Sequence, residues 1–209
     1  MFLRPLIARQ FGRPSGLAGL LMRRTLNKVN ARVNAIALDR LELRPTDRVL
    51  DVGFGGGLML RQVLDRLPAG SAAGVEVSEP MLRLARRTFR HEIDAGRLEV
   101  KPGSASAIPY ADATFDKASA VNTVHFWPEP AAGLREVRRV LKPGGVLVVA
   151  LRPRDYLERI RFTKYGFTAF EEHELRGLLE AAGFHAIRIE RGDDADMGMI
   201  VAVASRPPE

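Results

Sequence analysis

Hydrophobic and polar positions follow two different periods along the chain. From Leu17 to Leu43, apolar residues recur at helical spacing with arginines mostly between them. This pattern predicts one long amphipathic helix or two shorter ones, ended by a turn at Pro45 and Asp47. Beyond that turn, short apolar runs typical of buried strands alternate with segments of helical period.

The runs predict seven strands and four further helices. Strands are predicted over 48–52, 72–77, 98–101, 115–121, 146–151, 184–190 and 198–204, and helices over 58–67, 78–95, 130–141 and 171–182. The alternation favours an α/β fold, a doubly wound parallel sheet with helices on both faces. About seven residues separate the last two strands, too few for a crossover helix, so the last strand is predicted to be antiparallel. Gly192-Asp193-Asp194 is the predicted turn.

The composition excludes sites built from cysteine, and the sequence gives no sign of a signal peptide or a membrane span. The chain has 209 residues and no cysteine, which excludes disulfides, thiolate metal sites and cysteine nucleophiles. Arg4 and Arg9 interrupt the apolar residues at the start, so no signal peptide is predicted, and a cytoplasmic location is expected. No apolar stretch is long enough to predict a membrane span.

The net charge of +7 raises the question of an anionic partner. Lysine and arginine are spread along the chain, and short runs such as Arg86-Arg87 fall in predicted helices. This distribution favours solvated helix faces, and a nucleic-acid partner is not favoured.

A glycine-rich segment, VLDVGFGGG, lies between the first predicted strand and the following helix. Its glycines at 53, 55 and 57 let the backbone approach a ligand closely. Dinucleotide enzymes also carry a glycine loop, but Leu58 stands where their pattern requires glycine or alanine. Asp51 suits a cationic or amine-bearing ligand better than a pyrophosphate, which a carboxylate would repel.

An acidic residue, Glu76, follows the glycines by about 20 residues and ends the second predicted strand. A carboxylate there can accept hydrogen bonds from both hydroxyls of a ribose. This feature fits a nicotinamide dinucleotide and S-adenosylmethionine (SAM) equally well.

Further short motifs occur in one order between 103 and 145. They read Gly-Ser-Ala at 103–105, Ile-Pro-Tyr at 108–110, Phe-Asp at 115–116, His-Phe-Trp at 125–127 and Leu-Lys-Pro-Gly-Gly at 141–145. Their combination resembles the class I SAM-dependent methyltransferases, in particular the UbiE-like enzymes that act on small molecules. The resemblance is strong over 46–151 and weaker over 170–183.

The resemblance implies a fold and a domain organisation. The fold is a Rossmann-like doubly wound sheet of seven strands with the last strand antiparallel. Residues 1–45 would form a helical cap over the cofactor cleft, and residues 46–209 the methyltransferase core. Asn27, Asn30 and Asn34 could face polar groups of an acceptor.

SAM is the implied cofactor, with S-adenosylhomocysteine as its product. The residues implied to bind it are Asp51, Gly53, Phe54, Gly55, Gly57, Glu76, Val77, Met81, Ser104, Ala105 and Asn122. The glycines would surround the methionine part, with Asp51 near its amino group, and Glu76 would hold the ribose. Val77 and Met81 would flank the adenine. Ser104 departs from the family, which usually has aspartate there, and a hydroxyl accepts the adenine amino proton more weakly.

His125 is the candidate catalytic residue. It follows the fourth predicted strand, where ligands of open α/β sheets bind, and an imidazole can remove a hydroxyl proton near neutral pH. The alternative is that the His-Phe-Trp segment, including Trp127, only packs. The other histidines lack metal-ligand spacing, so no metal site is predicted from them, and a carboxylate site for Mg²⁺ stays open.

The expected reaction is in-line methyl transfer to a small-molecule acceptor, with O-methylation of a hydroxyl group favoured. Transfer to carbon or nitrogen is the first alternative. A nicotinamide-dependent oxidoreductase and a basic nucleic-acid-binding or RNA-modifying protein are the others. The oligomeric state is open, with a homodimer as one alternative.

Overall fold

The computed structural model describes residues 31–159, 168–192 and 198–208. Within these ranges, seven strands form one sheet. They are β1 (Arg48–Val52), β2 (Ser71–Glu76), β3 (Leu98–Pro102), β4 (Phe115–Val121), β5 (Leu141–Leu151), β6 (His185–Arg191) and β7 (Ile200–Ser205). Their order across the sheet is β3-β2-β1-β4-β5-β7-β6.

The sheet has the predicted topology. Strands β1 to β5 run parallel to one another, and β7 lies antiparallel between β5 and β6. The predicted seven-stranded, doubly wound fold with an antiparallel last strand is therefore confirmed. The chain passes from β1 to β2 on one side and returns to β4 on the other. Ligands of open α/β sheets bind in the crevice at the carboxyl ends of two such strands.

Helices cover both faces of this sheet. They are α1 (31–40 as described), α2 (Leu58–Arg66), α3 (Glu79–Thr88), α4 (Arg90–Asp94), α5 (Pro130–Val140), α6 (Arg154–Arg159) and α7 (Glu172–Ala181). The helix predicted over 78–95 is divided at Phe89, whose buried ring lies against the glycine loop. Helix α6 was not predicted, because six residues are too few to show a helical period.

Strand β5 differs from its prediction. It begins at Leu141, whereas a turn over 143–145 and a strand from 146 were predicted. Leu141 pairs with Phe115 and Val146 pairs with Lys117, so extra residues on β5 make an irregularity between these two pairs. The predicted turn is therefore a bulge inside a longer strand.

Two apolar clusters form the core, one on each face of the sheet. Successive residues of a strand point to opposite faces, so Leu147 joins the first cluster and Val148 the second. Burial on both faces explains why the central strands read as continuous apolar runs.

The N-terminal segment is described from residue 31 onwards. Its helix α1 packs into the second cluster through residues such as Val33 and Leu38, and Asn34 is also buried. Residues 1–30, with Asn27 and Asn30, lie outside the described part of the chain, as do Asp193 and Asp194. The helical cap over 1–45 therefore stays a prediction. Among the described residues, no helix is long and apolar enough to cross a membrane.

Candidate functional site

The glycine loop connects β1 to α2 at the crevice. Gly53, Gly55 and Gly57 have φ angles of 77°, 49° and 77°, in the left-handed region that favours glycine. The N–H of Gly53 donates to the carbonyl of Val75 at 2.7 Å. The loop thus bends sharply away from β1 and remains bonded to β2.

Two glycines of the loop also touch neighbouring side chains. A Cβ atom on Gly53 would lie 2.2 Å from Oγ1 of Thr123, and one on Gly57 would lie 2.8 Å from the ring of Phe89. Real Cβ atoms do not approach other atoms so closely. Both positions therefore require glycine for steric as well as conformational reasons.

Glu76 connects the glycine loop to the turn after β2. Its Oε2 accepts a hydrogen bond from the N–H of Gly55, and its Oε1 accepts one from the N–H of Ser78, each at 2.9 Å. Burial raises the pKa of this carboxyl above its ordinary value, although the backbone hydrogen bonds oppose the shift. A carboxylate has about four lone-pair positions, so the two oxygens can each accept another donor.

Asp51 is a second acid beside the loop and is only 3% exposed. Its Oδ1 accepts a hydrogen bond from the hydroxyl of Ser119 at 2.8 Å, because Asp51 and Ser119 are direct partners in the β1–β4 pair. Burial raises the pKa of Asp51 to about 7, with Ser119 opposing the shift and the charge of Glu76 adding to it. The sequence analysis did not identify Ser119; its only signal is a hydroxyl inside an apolar strand.

Three other predicted cofactor residues differ in their exposure. Val77 is 49% exposed beside Glu76, whereas Met81 is buried. The side chain of Phe54 is buried in the second cluster, where its ring fills the space above Gly74. Phe54 stays a predicted cofactor residue, and because its ring lies in the core, its backbone is the part that belongs to the loop surface.

The loop after β3 brings Ser104 and Ala105 to the same crevice. The N–H of the preceding Gly103 donates to the carbonyl of Glu76 at 3.2 Å. The Ser104 hydroxyl is 3.2 Å from that of Ser106, and Ala105 packs against the first cluster.

Arg139 fixes the next part of this loop. Its guanidinium donates to the carbonyls of Ile108 and Tyr110, each at 2.9 Å, and to the carboxylate of Asp112 at 2.7 Å. The sequence analysis did not single out this arginine, because these three loop partners are 27 to 31 residues away in sequence.

Asn122 and His125 follow β4 at the far side of the crevice. Asn122 has a φ of 52° and donates its N–H to the carbonyl of Ala150 at 2.7 Å. His125 is 4% exposed, and its Nδ1 lies 2.7 Å from the carbonyl oxygen of Thr168. A carbonyl can only accept, so Nδ1 carries the proton and Nε2 is left with its lone pair. Nε2 is buried and has no hydrogen-bond partner among the described residues.

The environment keeps His125 neutral. Burial lowers the pKa of its imidazole below the ordinary value, and the positive charge of Arg152 lowers it further, although the bond to Thr168 opposes both. The ring stacks with Phe170, with centroids 6.0 Å apart and an interplanar angle of 23°. These contacts hold a neutral ring, with its proton on Nδ1, in a fixed orientation at neutral pH.

Trp127 has a packing role. Its indole N–H donates to Oγ1 of Thr123 at 3.2 Å, and its ring lies directly against Gly133. Thr123 is therefore held between the indole and the glycine loop.

The remaining histidines lie elsewhere. His91, His173 and His185 are exposed, and Nδ1 of His185 is bonded to the carbonyl of Ser205. Over the described ranges, no group of three or more His, Asp or Glu side chains could hold a metal ion.

Comparison with known proteins identifies a methyltransferase domain. Residues 50–149 match the family described as "Methyltransferase domain". The chain is 28% identical over 179 residues to the uncharacterized methyltransferase YdaC of Bacillus subtilis, covering 85% of this chain and 93% of that protein. It is 34% identical over 133 residues to the UbiE C-methyltransferase of Ruegeria sp., covering 62% of this chain and 53% of that enzyme.

Solved structures share the fold. A putative methyltransferase in complex with the Trm112 activator of Haloferax volcanii superposes with a TM-score of 0.80 at 20% identity, over 90% of this chain and 94% of that one. A possible histamine N-methyltransferase of Thermotoga maritima superposes with a TM-score of 0.68 at 23% identity, over 90% and 95%. The strand order, the glycine loop with its two acids and these matches agree: residues 50–149 form a methyltransferase domain, and the chain is similar to class I SAM-dependent methyltransferases.

Proposed function

We propose that this enzyme transfers the methyl group of SAM to a hydroxyl oxygen of a small-molecule acceptor. The choice of SAM as the methyl donor rests on one observation. Two buried acids, Asp51 and Glu76, lie beside the glycine loop. A site with two carboxylates favours a ligand that carries an ammonium and a sulfonium. Of the two acids, Asp51 would repel the pyrophosphate of a dinucleotide.

The chain supplies a contact for each part of the cofactor. The loop of Gly53, Gly55 and Gly57 surrounds the methionine part, with Asp51 toward its ammonium group. Glu76 accepts from the ribose hydroxyls with its remaining lone pairs. Exposed Val77 gives the adenine an apolar surface. Met81 lies behind it, and Ser104, Ala105 and Asn122 complete the site.

His125 acts as the base. Bound SAM would supply an activated methyl group and leave as S-adenosylhomocysteine, and Nε2 of His125 would take up the hydroxyl proton of the acceptor. The bond from Nδ1 to Thr168 holds the tautomer that this step requires. The lowered pKa of His125 keeps Nε2 able to accept a proton at neutral pH.

Names of relatives point to both oxygen and carbon acceptors. An O-methyltransferase of Pyrenophora dematioidea is 30% identical over 126 residues, and UbiE enzymes are C-methyltransferases by name. The chain spans about half the length of these relatives. The neutral, oriented His125 supports the hydroxyl acceptor. NMR of the product formed with ¹³C-methyl SAM tests which atom of the acceptor is methylated. The chemical shift of the product methyl distinguishes attachment to oxygen, nitrogen and carbon.

Calorimetry tests the cofactor. S-adenosylhomocysteine should bind, and NADH should not. Glu76→Gln removes the charge with little change of shape and should weaken binding by about 10- to 100-fold, because a hydrogen bond to a charged group contributes about 1.5–3 kcal/mol. Glu180→Gln, on the exposed end of α7, is the control and should bind as the wild type does. Tight NADH binding, or full affinity in Glu76→Gln, contradicts the proposal.

A further inference from the structure

Two side chains of α5, Glu136 and Arg139, form a pair that faces the loop after β3. The guanidinium of Arg139 donates to both carboxylate oxygens of Glu136, from Nε to Oε1 and from Nη2 to Oε2, each at 2.8 Å. The residues are three apart in the helix, so their side chains lie on one side of it. A bidentate bond of this kind fixes the orientation of both groups, so the pair presents its remaining donors and acceptors as one unit.

The pair bonds both backbone groups of Ile108. The N–H of Ile108 donates to Oε2 of Glu136 at 3.1 Å, and the carbonyl of Ile108 accepts from Nη2 of Arg139 at 2.9 Å. In a sheet, a neighbouring strand would bond these two groups. The side chain of Ile108 is buried in the first cluster. Helix α5 therefore holds this residue of the loop by its backbone, and the core holds it by its side chain.

A tight turn lies between Ile108 and the start of the loop. The carbonyl of Ser104 accepts from the N–H of Ala107 at 3.1 Å, and the two residues form an antiparallel bridge. On one side of this turn, Gly103 is bonded to the carbonyl of Glu76. On the other side stands Ile108 with its bonds to α5. The position of the turn thus depends on one anchor at β2 and one at α5.

Helix α5 also packs directly against the turn. A Cβ atom on Gly133 would lie 3.2 Å from Cβ of Ala105 and 2.5 Å from the ring of Trp127. Gly133 precedes Glu136 by three residues, so the packing contact and the bonds to Ile108 come from the same side of the helix. A shift of the loop away from α5 would therefore move Ala105 as well.

We propose that Arg139 is a positioning residue for the cofactor: together with Glu136, it holds the turn at Ser104 and Ala105 where the adenine of SAM binds. This inference rests on the proposed function, which assigns the adenine to that turn. Ser104 is uncharged, and a hydrogen bond from a neutral hydroxyl weakens steeply when its distance or angle changes. The affinity for the adenine part of SAM should therefore depend on Arg139, although this residue acts only through the loop.

Two ligands that differ by the adenine test this assignment. S-adenosylhomocysteine contains the base, whereas S-ribosylhomocysteine lacks it and keeps the ribose and the amino acid. Arg139→Gln should weaken binding of S-adenosylhomocysteine by about tenfold and change binding of S-ribosylhomocysteine by less than about twofold. A general loss of folding would affect both ligands alike, so equal losses in calorimetry would overturn the assignment.

A lysine at the same position separates the shape of the side chain from its charge. Arg139→Lys keeps a cation beside Glu136 but lacks the planar fork that reaches one carboxylate and two backbone carbonyls. It should therefore lose affinity for S-adenosylhomocysteine nearly as Arg139→Gln does, and full affinity in Arg139→Lys would contradict the positioning role. Arg135→Gln removes an exposed arginine of the same helix and is the control, which should bind both ligands as the wild type does.

Hydrogen exchange observes the loop without any ligand. In Arg139→Gln, the amide of Ile108 and its neighbours in the loop should exchange faster than in the wild type, while the strands of the sheet exchange at the wild-type rate. Unchanged exchange in the loop would overturn the role of Arg139. Equal binding of S-adenosylhomocysteine by the wild type and Arg139→Gln would overturn this inference alone. Failure of the wild type to bind it would contradict the proposed function as well.

Discussion

The hydroxyl of Ser119 donates a hydrogen bond to the buried carboxylate of Asp51, 2.8 Å away on the neighbouring strand. The bond favours the ionised form of Asp51 against the cost of burial. Since the ionised form would attract the ammonium group of SAM, Ser119 would support cofactor binding without touching the cofactor.

Ser119→Ala should therefore weaken SAM binding at pH 7. Without the donor, the pKa of Asp51 rises further and a larger fraction of the carboxyl is protonated. The expected loss is about tenfold, the effect of one hydrogen bond to a charged group. Calorimetry at pH 7 measures it, with Ser205→Ala at the far end of β7 as a control in the same sheet. Equal affinity of Ser119→Ala and the wild type would show that this bond is irrelevant to the cofactor.

Asp51 should also make the stability of the ligand-free enzyme depend on pH. Its pKa is about 7 in the folded chain and near 3.8 in an unfolded one, so the folded state binds more protons between these values. The free energy of unfolding then falls as pH rises from about 4 to about 7, by at most about 1.4 kcal/mol per pH unit, and this contribution is level above pH 7.

Urea unfolding at several pH values measures this slope. Asp51→Asn cannot titrate, so the wild type should lose stability relative to it as pH rises. Asp94→Asn, at the exposed end of α4, should follow the wild type. SAM affinity should rise over the same pH range in the wild type and not in Asp51→Asn. Parallel stability curves for wild type and Asp51→Asn would mean that Asp51 does not titrate in this range.

Contacts close in sequence to a motif could be predicted, and contacts across the sheet could not. Glu76 and the glycine loop lie at the ends of strongly apolar strands, and their positions follow from the alternation of strands and helices. The partnership of Asp51 and Ser119 depends on β1 and β4 being neighbours in one register, which no local pattern specifies.

The burial of Arg152 was not predicted for a related reason. An arginine after a strand is normally exposed, and its burial depends on the packing around α6, a helix too short to be seen in the sequence. The break of the predicted helix at Phe89 likewise reflects a tertiary contact, because the ring occupies the space that Gly57 leaves.

Gly53→Ala should destabilise the fold and abolish cofactor binding. The new Cβ would have a left-handed backbone, costing about 1–2 kcal/mol, and would lie 2.2 Å from Oγ1 of Thr123, for which overpacking costs add about 1–3 kcal/mol. Gly144→Ala separates the two effects, because Gly144 has a φ of 74° and no atom within 4 Å of its Cβ position among the described residues.

Urea unfolding should thus show a larger loss for Gly53→Ala than for Gly144→Ala. Adding Thr123→Ala to Gly53→Ala should recover part of the loss, since it removes the closest atom. The same loss in both glycine variants would show that backbone conformation alone requires glycine at position 53.

His125→Gln should lower kcat and leave S-adenosylhomocysteine affinity within about twofold. A positioned general base contributes about 10²- to 10⁴-fold, and the amide of glutamine cannot take up the hydroxyl proton. In the wild type, kcat should be constant at and above neutral pH and fall only in acid, because burial and Arg152 lower the pKa of His125 below its ordinary value. The variant should lose this acid limb.

His185→Gln is the control, because His185 is exposed and makes the same kind of Nδ1-to-carbonyl bond, at 2.8 Å. Transfer of labelled methyl from SAM to a small-molecule extract measures both enzymes, and a variant with wild-type kcat and an unchanged pH profile would assign His125 to packing alone.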